Sequence, residues 1–280
     1  MRSIAVLNQK GGVGKTTTVA NVAAALSLKG QRTLVIDLDP QAHLTIHLGA
    51  DAEPDAAGVY EVLTGQASVA EAIKPVRNNL SVLGANINLV GAESELVNEV
   101  GREIILRNAM EAVRSDYDYV IIDCPPSLGL LTLNALAFVE EVLIPVQPHF
   151  LALQGFSRLL QTVALVQSRI NPALRVTAIL MCMFDSRTSL SVEVRDDIDK
   201  FLSAARGSDK PWANATVIPV NIRRNIKLAE APSYGKTIFE YEPTCNGAAD
   251  YQAVADWLHT GQTGEISTQT AAEPQPQDAT

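Results

Sequence analysis

The chain has 280 residues, nearly half of them hydrophobic, with a net charge of −9 and three cysteines. No apolar run is long enough to span a membrane and the N-terminus enters a strand at once, so neither a membrane-embedded protein nor a signal peptide is expected. The three cysteines (Cys124, Cys182 and Cys245) are widely separated, with no C-x-x-C pair. They read as reduced thiols of a cytoplasmic protein rather than a metal or iron–sulfur site within one chain. The length allows two domains, but sheets covered by helices on both faces often reach it as one, and the hydrophobic content suffices for a substantial core. A negative balance argues against nucleic acid, yet the placement of the charges weakens that objection. No Lys or Arg follows Lys236, and removing the seven acids beyond it from the −9 leaves about −2, so a local basic face is permitted.

Taken in order, the apolar run Ile4-Ala5-Val6-Leu7 leads into Lys10-Gly11-Gly12-Val13-Gly14-Lys15-Thr16-Thr17, then a helical pattern with Val19, Val22, Ala23 and Leu26 on one face. Strand, glycine-rich turn and helix form the context of a phosphate-binding loop. The glycines let successive N–H groups curl around an anion, and the helix N-terminus adds its partial positive charge. Lys15 is then placed to reach β- and γ-phosphates and the Thr16 hydroxyl to ligate Mg²⁺. The general G-x-x-x-x-G-K-[ST] pattern fails, because its first glycine falls on Gln9; a second lysine, Lys10, stands ahead of the glycine pair instead. The bland reading is a surface turn with two solvated lysines.

Gly30 reads as a helix C-cap, followed by a strand, Thr33-Leu34-Val35-Ile36, that runs into Asp37-Leu38-Asp39-Pro40-Gln41. Alternation puts Asp37 and Asp39 on one side if the strand continues that far, where ligands bind in open α/β sheets. An Asp-Pro turn that merely ends the strand is the competing reading. Residues 48–79 read as a loop-rich excursion with short helices around 60–63 and 69–73. A strand over 80–83 and a long helix over 92–114 follow, the helix with Leu96, Val100, Ile104 and Ala109 on its apolar side. Tyr119-Val120-Ile121-Ile122-Asp123 is a fully buried strand ending in an acid, stopped by Pro125 and Pro126. Downstream of a phosphate loop, that acid is the expected metal carboxylate of a Walker B strand. Further strands over 141–146 and 174–181 alternate with helices over 151–170 and 192–206, the latter with Val194, Ile198 and Leu202 inward, before a polar loop at 206–210. Five or more such strands mean a doubly wound, mostly parallel sheet of the α/β class. Arg223, Arg224 and Lys227 make the only dense basic cluster late in the chain, and a solvated helix-entry segment is its plain reading. A last helix over 248–258 turns Tyr251, Val254 and Leu258 inward. Beyond Gly261 the chain is polar and low in large apolar groups, as a disordered tail is.

These motifs resemble, in order and over residues 2–258, the ParA/MinD ATPases, P-loop NTPases with a deviant Walker A loop. The resemblance implies a domain over 1–260 with a tail over 261–280, and ATP and Mg²⁺ as cofactors. It implies that Lys10 reaches across a nucleotide-sandwich homodimer to the partner's phosphates. Lys10, Lys15, Asp39 and Asp123 then form the catalytic set; the loop from Lys10 to Thr17 binds nucleotide, and Thr16 and Asp123 serve the metal. Asp-x-Asp-Pro-Gln matches the family's first switch, whose second acid, here Asp39, orients or activates the hydrolytic water. Asp-Cys-Pro-Pro-Ser-Leu-Gly resembles the second switch, and Cys124 in it reads as a packing residue. Arg-Asn-Ile-Lys-Leu-Ala-Glu-Ala-Pro-Ser is similar to a segment of chromosomal ParA (Soj) proteins in which arginines touch DNA phosphates and backbone near the Asn, here Asn225, lies by the adenine. Arg223 stands where many relatives have Pro, which leaves open which of Arg223, Arg224 and Lys227 contacts DNA.

The implied function is a chromosome or plasmid partition ATPase, cytoplasmic and nucleoid-associated. It would bind DNA without sequence preference and be stimulated by a ParB-like protein. The chain starts almost at its first strand, so the helix-turn-helix extension of larger plasmid ParA proteins is not expected. Its end carries no cations, so the basic membrane-binding helix of MinD is not expected either. The alternatives are a ParA-like ATPase positioning another cargo (flagellar, polar or microcompartment), an iron–sulfur ATP-driven reductase, and a nucleotide-dependent biosynthetic ligase on the same fold.

Overall fold

The structure, a computed structural model, describes residues 1–50, 56–149 and 152–260. The expected tail over 261–280 and Leu151 lie outside the described residues.

Parallel strands covered on both faces are continuous apolar runs, and the central strands of the sheet are segments of that kind. Strand β1 (Arg2–Val6) is central, with β5 (Tyr119–Asp123) on one side and β6 (Glu141–Val146) on the other. The order is completed by β2 (Thr33–Asp37), β3 (Ile73–Arg77), β4 (Leu80–Leu83), β7 (Arg175–Phe184) and β8 (Thr216–Val217), giving β3-β4-β2-β5-β1-β6-β7-β8. A short ninth strand, β9 (Ile222–Arg223), pairs with the end of β7 past a bulge between Cys182 and Phe184. Among the described residues every pairing is parallel except β3 with β4. Because the chain passes from β1 to β2 on one side and later crosses from β5 to β6 on the other side of β1, a crevice opens at the carboxyl end of β1, where ligands of open α/β sheets bind.

Alternation along the strands sorts the core into two layers. Ile4, Val6, Val35 and Ile121 face one helical layer, while Ala5, Leu34, Ile36, Val120 and Ile122 face the other. Helix α1 (Lys15–Leu28) runs in the first layer beneath the sheet and packs against the last helix, numbered α12 below (Asn246–Thr260). The expected one-sided stripe of α1 extends around the helix: Thr18 through Ser27 are all buried. A helix enclosed by other helices and a sheet has no polar face to keep.

Three expectations are corrected. Residues 73–77, placed in the excursion, form the edge strand β3; its Lys74, Pro75 and Arg77 hide the apolar signal but suit an exposed edge. Helix α2 (His43–His47) comes just before the excursion, and within it α3 (Val59–Leu63) and α4 (Val69–Ala72) are short helices. The continuous helix over 92–114 is broken into α5 (Leu89–Glu95), α6 (Ile105–Met110) and 3₁₀ turns, with Gly101 at φ +74 between them. A left-handed glycine ends a helix, and Val100 beside it is fully exposed rather than inward. Third, β2 ends at Asp37, so strand alternation does not carry Asp39 to the same side. Helix α7 (Leu130–Phe138) follows the turn at Pro125 and Pro126. Helices α8 (Ala152–Arg169) and α9 (Ser189–Ser203) cover the second layer, and Val194, Ile198 and Leu202 are buried as expected. The short helices α10 (Lys227–Glu230) and α11 (Ile238–Tyr241) lead into α12, whose Tyr251, Val254 and Leu258 are buried.

Candidate nucleotide and hydrolytic site

The turn after β1 is shaped by its glycines. Gly12 and Gly14 take φ +73 and +93, and Gly14 is the N-cap of α1. An L side chain at either position is strained. Val13 between them is buried and anchors the loop, so the free N–H groups at the start of α1 face the crevice together with the loop. Lys15 is almost fully buried, and its ammonium donates to the Lys10 carbonyl at 3.2 Å. Burial lowers its pKa, while Asp123 and Asp39 act in the opposite direction.

Asp123 ends β5 beside the loop, with its carboxylate 1 % exposed. One oxygen, Oδ2, accepts from the Thr16 hydroxyl at 2.6 Å; the other, Oδ1, is buried with no hydrogen-bond partner among the described residues. Its pKa is pushed well up by burial, then by the nearby Asp37, against the opposing effects of Thr16 and Lys15. A buried carboxylate oxygen with no donor is costly unless something charged meets it. Carboxylate and hydroxyl together form an all-oxygen donor pair of the kind hard divalent cations prefer.

Asp39 is half-buried and lines the same crevice, its Oδ1 accepting from the Gln41 N–H at 3.0 Å. Asp37, the neighbouring acid, does something different. It accepts from the Thr45 N–H at 2.9 Å, the Thr45 hydroxyl at 2.8 Å and the Asp39 N–H at 3.1 Å. It is therefore consumed in holding the Asp39 segment to α2. Burial still pushes its pKa up, to about 6.

The crevice has a volume of about 990 Å³ and is walled first by the loop from Gly11 to Thr17, second by the pair of segments Asp39 to Gln41 and Pro125 to Ser127, and by a third wall assembled from segments far apart in the chain. That wall, which the sequence did not reveal as a unit, holds Cys182, Met183, Ile222, Leu228 and Tyr251 with Arg223, Arg224 and Asn225. Cys182 lies against the phosphate loop, its Sγ 3.7 Å from where a Cβ on Gly14 would stand. Tyr251 shares a hydrogen bond with Thr18 at 3.2 Å. Met183 takes φ +52 at the bulge where β7 turns to meet β9, a conformation a methionine rarely adopts. Position at the carboxyl end of a parallel strand was the available signal for this wall. Cys124 is fully buried in the core, and burial drives its thiol pKa up, as suits a packing residue.

The remaining expected residues separate by position. Lys10 is exposed, and its ammonium lies not in the main crevice but against the His149 imidazole in a small adjoining cleft. Its N–H donates to Asn8 Oδ1 at 3.0 Å. Thr17 is half-buried and its carbonyl accepts from Asn21. In the basic cluster, Arg223 is paired with Asp250 at 2.6 Å and Lys227 with Glu230 at 2.9 Å. Arg224 is exposed and makes no hydrogen bond or ion pair within the described residues, although its charge lowers the pKa of Asp185. Asn225 sits at the crevice wall, its Oδ1 accepting from the Lys227 N–H at 2.9 Å.

Comparison with known proteins agrees with this geometry. Residues 1–176 match the AAA domain family. Over 253 residues the chain is 47 % identical to the sporulation initiation inhibitor protein Soj of Bacillus subtilis, covering 90 % of this chain and 96 % of that protein. It is 42 % identical over 254 residues to the chromosome partitioning protein ParA of Myxococcus xanthus, covering 90 % and 86 %. Among solved structures, cobyrinic acid a,c-diamide synthase from Mycobacterium smegmatis, with bound ADP and magnesium, is similar at 38 % identity and a TM-score of 0.77, covering 92 % and 94 %. A deviant phosphate loop at the centre of a parallel sheet, two acids at the ends of adjoining strands and relatives of this identity over nearly the whole length lead to one conclusion: the chain belongs to the Soj/ParA family of chromosome-partitioning ATPases.

Proposed function

We propose that the chain hydrolyses ATP with Mg²⁺ in DNA partition, closing into a nucleotide-sandwich homodimer that binds DNA without sequence preference and is stimulated by a ParB-like protein. The observation that carries this is Asp123 with its unpartnered Oδ1, beside the Thr16 hydroxyl and under the Lys15 ammonium. Thr16 and Asp123 would hold the metal, which when bound supplies positive charge to the phosphate oxygens. The loop N–H groups and Lys15 bind and orient the phosphates. Asp39, half-buried at the mouth with one oxygen left for a water, positions the nucleophile. Asn225 and the third wall take the base.

Lys10 supports the sandwich reading because its ammonium stands outside its own crevice, against His149. In the basic cluster Arg224 is the leading DNA contact. Arg223 and Lys227 are each shared with a carboxylate and contribute less of their charge. Among the described residues no helix is long and apolar enough to cross a membrane, and nucleoid association follows from the DNA affinity proposed here.

The experiment is the ATPase rate of the purified chain with and without DNA and the product of a neighbouring ParB-like gene. Stimulation by both together is expected. The likeness to the diamide synthase structure favours one second reading, a ligase. ATP turnover that depends on cobyrinic acid and ignores DNA and the protein partner would replace the partition reading with that one.

A further inference from the structure

The end of α2, the helix that follows the first switch, meets the segment that follows the basic cluster at an unusually close junction. Gly49 and Gly235 are both left-handed, at φ +66 and +61, and their backbones touch. A Cβ on Gly235 would stand 3.0 Å from Gly49 Cα, and one on Gly49 would stand 3.2 Å from the Gly235 oxygen. No side chain fits at either position without displacing the other strand of backbone. His47, 1 % exposed, is buried at the same junction, where Arg77 and the Lys236 backbone act on its pKa.

Arg77, the last residue of edge strand β3, spans this junction. Its Nη1 donates to the Leu48 carbonyl at 2.9 Å, its Nη2 to the Gly235 carbonyl at 2.9 Å, and its Nε to Glu240 Oε1 at 2.8 Å. The other oxygen of Glu240 caps α11, accepting from the Thr237 N–H at 2.8 Å and its hydroxyl at 2.9 Å. Each side of the junction leads back to the crevice. From Leu48, α2 runs back to Thr45, which Asp37 grips through both backbone and hydroxyl, and Asp37 also holds the Asp39 N–H. From Gly235 a short, helical stretch runs back through Lys227 to Arg224 and Arg223. A planar guanidinium with three acceptors in fixed directions holds both backbones at one spacing, which a flexible ammonium does not.

We infer that Arg77 is a positioning residue that couples the first switch to the basic cluster, so that movement of Asp39 and α2 on nucleotide binding shifts the segment carrying Arg223, Arg224 and Lys227. This deepens the partition reading and rests on it only for the nature of the ligand at the basic cluster. Coupling requires that both sites bias one shared element, and the α2–Gly235 junction is that element.

The test uses the full chain, Arg77→Ala and Arg77→Lys. Amide hydrogen exchange is followed over residues 232–241, which do not line the crevice, with and without a non-hydrolysable ATP analogue and Mg²⁺. Nucleotide affinity and DNA affinity are measured in parallel. In the parent, nucleotide is expected to change exchange over 232–241 by about fivefold or more. Both variants are expected to bind nucleotide like the parent and to lose that response. Their DNA affinity in the nucleotide-loaded form should fall about tenfold. Arg77→Lys keeps the charge, so it supplies the answer if Arg77→Ala does not fold. An unchanged exchange response in a folded variant, or no response in the parent, overturns the coupling. If the response is lost in the variants but the parent binds no DNA, the coupling stands and the partition reading fails.

Discussion

Asp37 and Asp123 sit opposite each other at the ends of adjacent strands, equally buried, yet they are met by different partners. Asp37 is saturated by three donors and works as a structural clamp. Asp123, bonded to the phosphate loop through Thr16, has one donor and one bare oxygen. The difference teaches that burial and a raised pKa do not by themselves identify a functional acid, since both groups have them. What separates them is unmet hydrogen-bonding capacity, on which the role proposed for Asp123 rests.

The largest expected effect would break the comparison if it failed. Asp123→Asn should lower ATP hydrolysis by about 100-fold or more while leaving thermal stability unchanged or higher, because a buried charge without a partner is removed. Asp37→Asn should do the reverse. It should cost about 2 kcal/mol of stability by setting an amide N–H₂ among donors, with hydrolysis per folded molecule largely kept. Assays of turnover and thermal unfolding on both variants decide this; loss of turnover in well-folded Asp37→Asn would erase the distinction.

Asp39→Ala extends the contrast to the half-exposed acid. Hydrolysis should fall by about 10²-fold or more, while ATP-dependent dimers, followed by sedimentation, persist. Full turnover would remove its role. A comparable contrast separates the two lysines. Lys10→Ala should abolish ATP-induced dimerisation with nucleotide affinity changed by no more than about threefold, since its ammonium is outside the crevice. Lys15→Ala should lose nucleotide binding itself. Unchanged sedimentation of Lys10→Ala with ATP would refute the sandwich.

Smaller effects are expected at the surface. Replacing Arg223, Arg224 and Lys227 with Glu should reduce DNA retention at low salt and spare nucleotide binding. Arg224→Ala alone should reduce the salt-dependence slope by about one. If Arg223→Ala matters more, the pairing with Asp250 does not hold in the complex.

The smallest effect concerns a third buried titratable group. Burial, then Arg77, lowers the pKa of His47 to about 4, so it is neutral in the fold. The unfolded chain takes up that proton below about 6.5, so stability is lost as pH falls from about 6.5 to 4, by on the order of 3 kcal/mol at most. Asp37, raised to about 6, acts with the opposite sign, contributing stability at low pH that is lost as pH rises through about 4 to 6. The two slopes offset each other. His47→Gln should therefore gain stability relative to the parent at pH 5 compared with pH 8, as measured by denaturant unfolding. A difference that does not change with pH would place His47 among solvated histidines.

Much of the molecule is readable from residue order. Tyr119–Asp123 and Glu141–Val146 have the bounds that their apolar runs predict, because a strand covered on both faces has no polar alternation to blur its ends. The phosphate loop is legible because glycine, lysine and threonine at that spacing have few other uses between a strand and a helix. Edge strand β3 escapes detection because its signal is polar by necessity, and the break at Gly101 because local periodicity continues across it. Lys10 on His149, 139 residues away, and Arg77 on Glu240, 163 residues away, leave no trace in sequence order.

By itself, the order of residues determined the class of sheet, the loop that cradles an anion, and the two strand ends that carry acids, because each depends on backbone preferences and side-chain chemistry within a few positions. Tertiary structure alone decided which acid keeps a bare oxygen, which cation of the basic cluster is left unpaired among the described residues, and that the first switch and the basic cluster share one junction. Those are matters of which donors meet which acceptors, and chain folding brings such partners together from far apart.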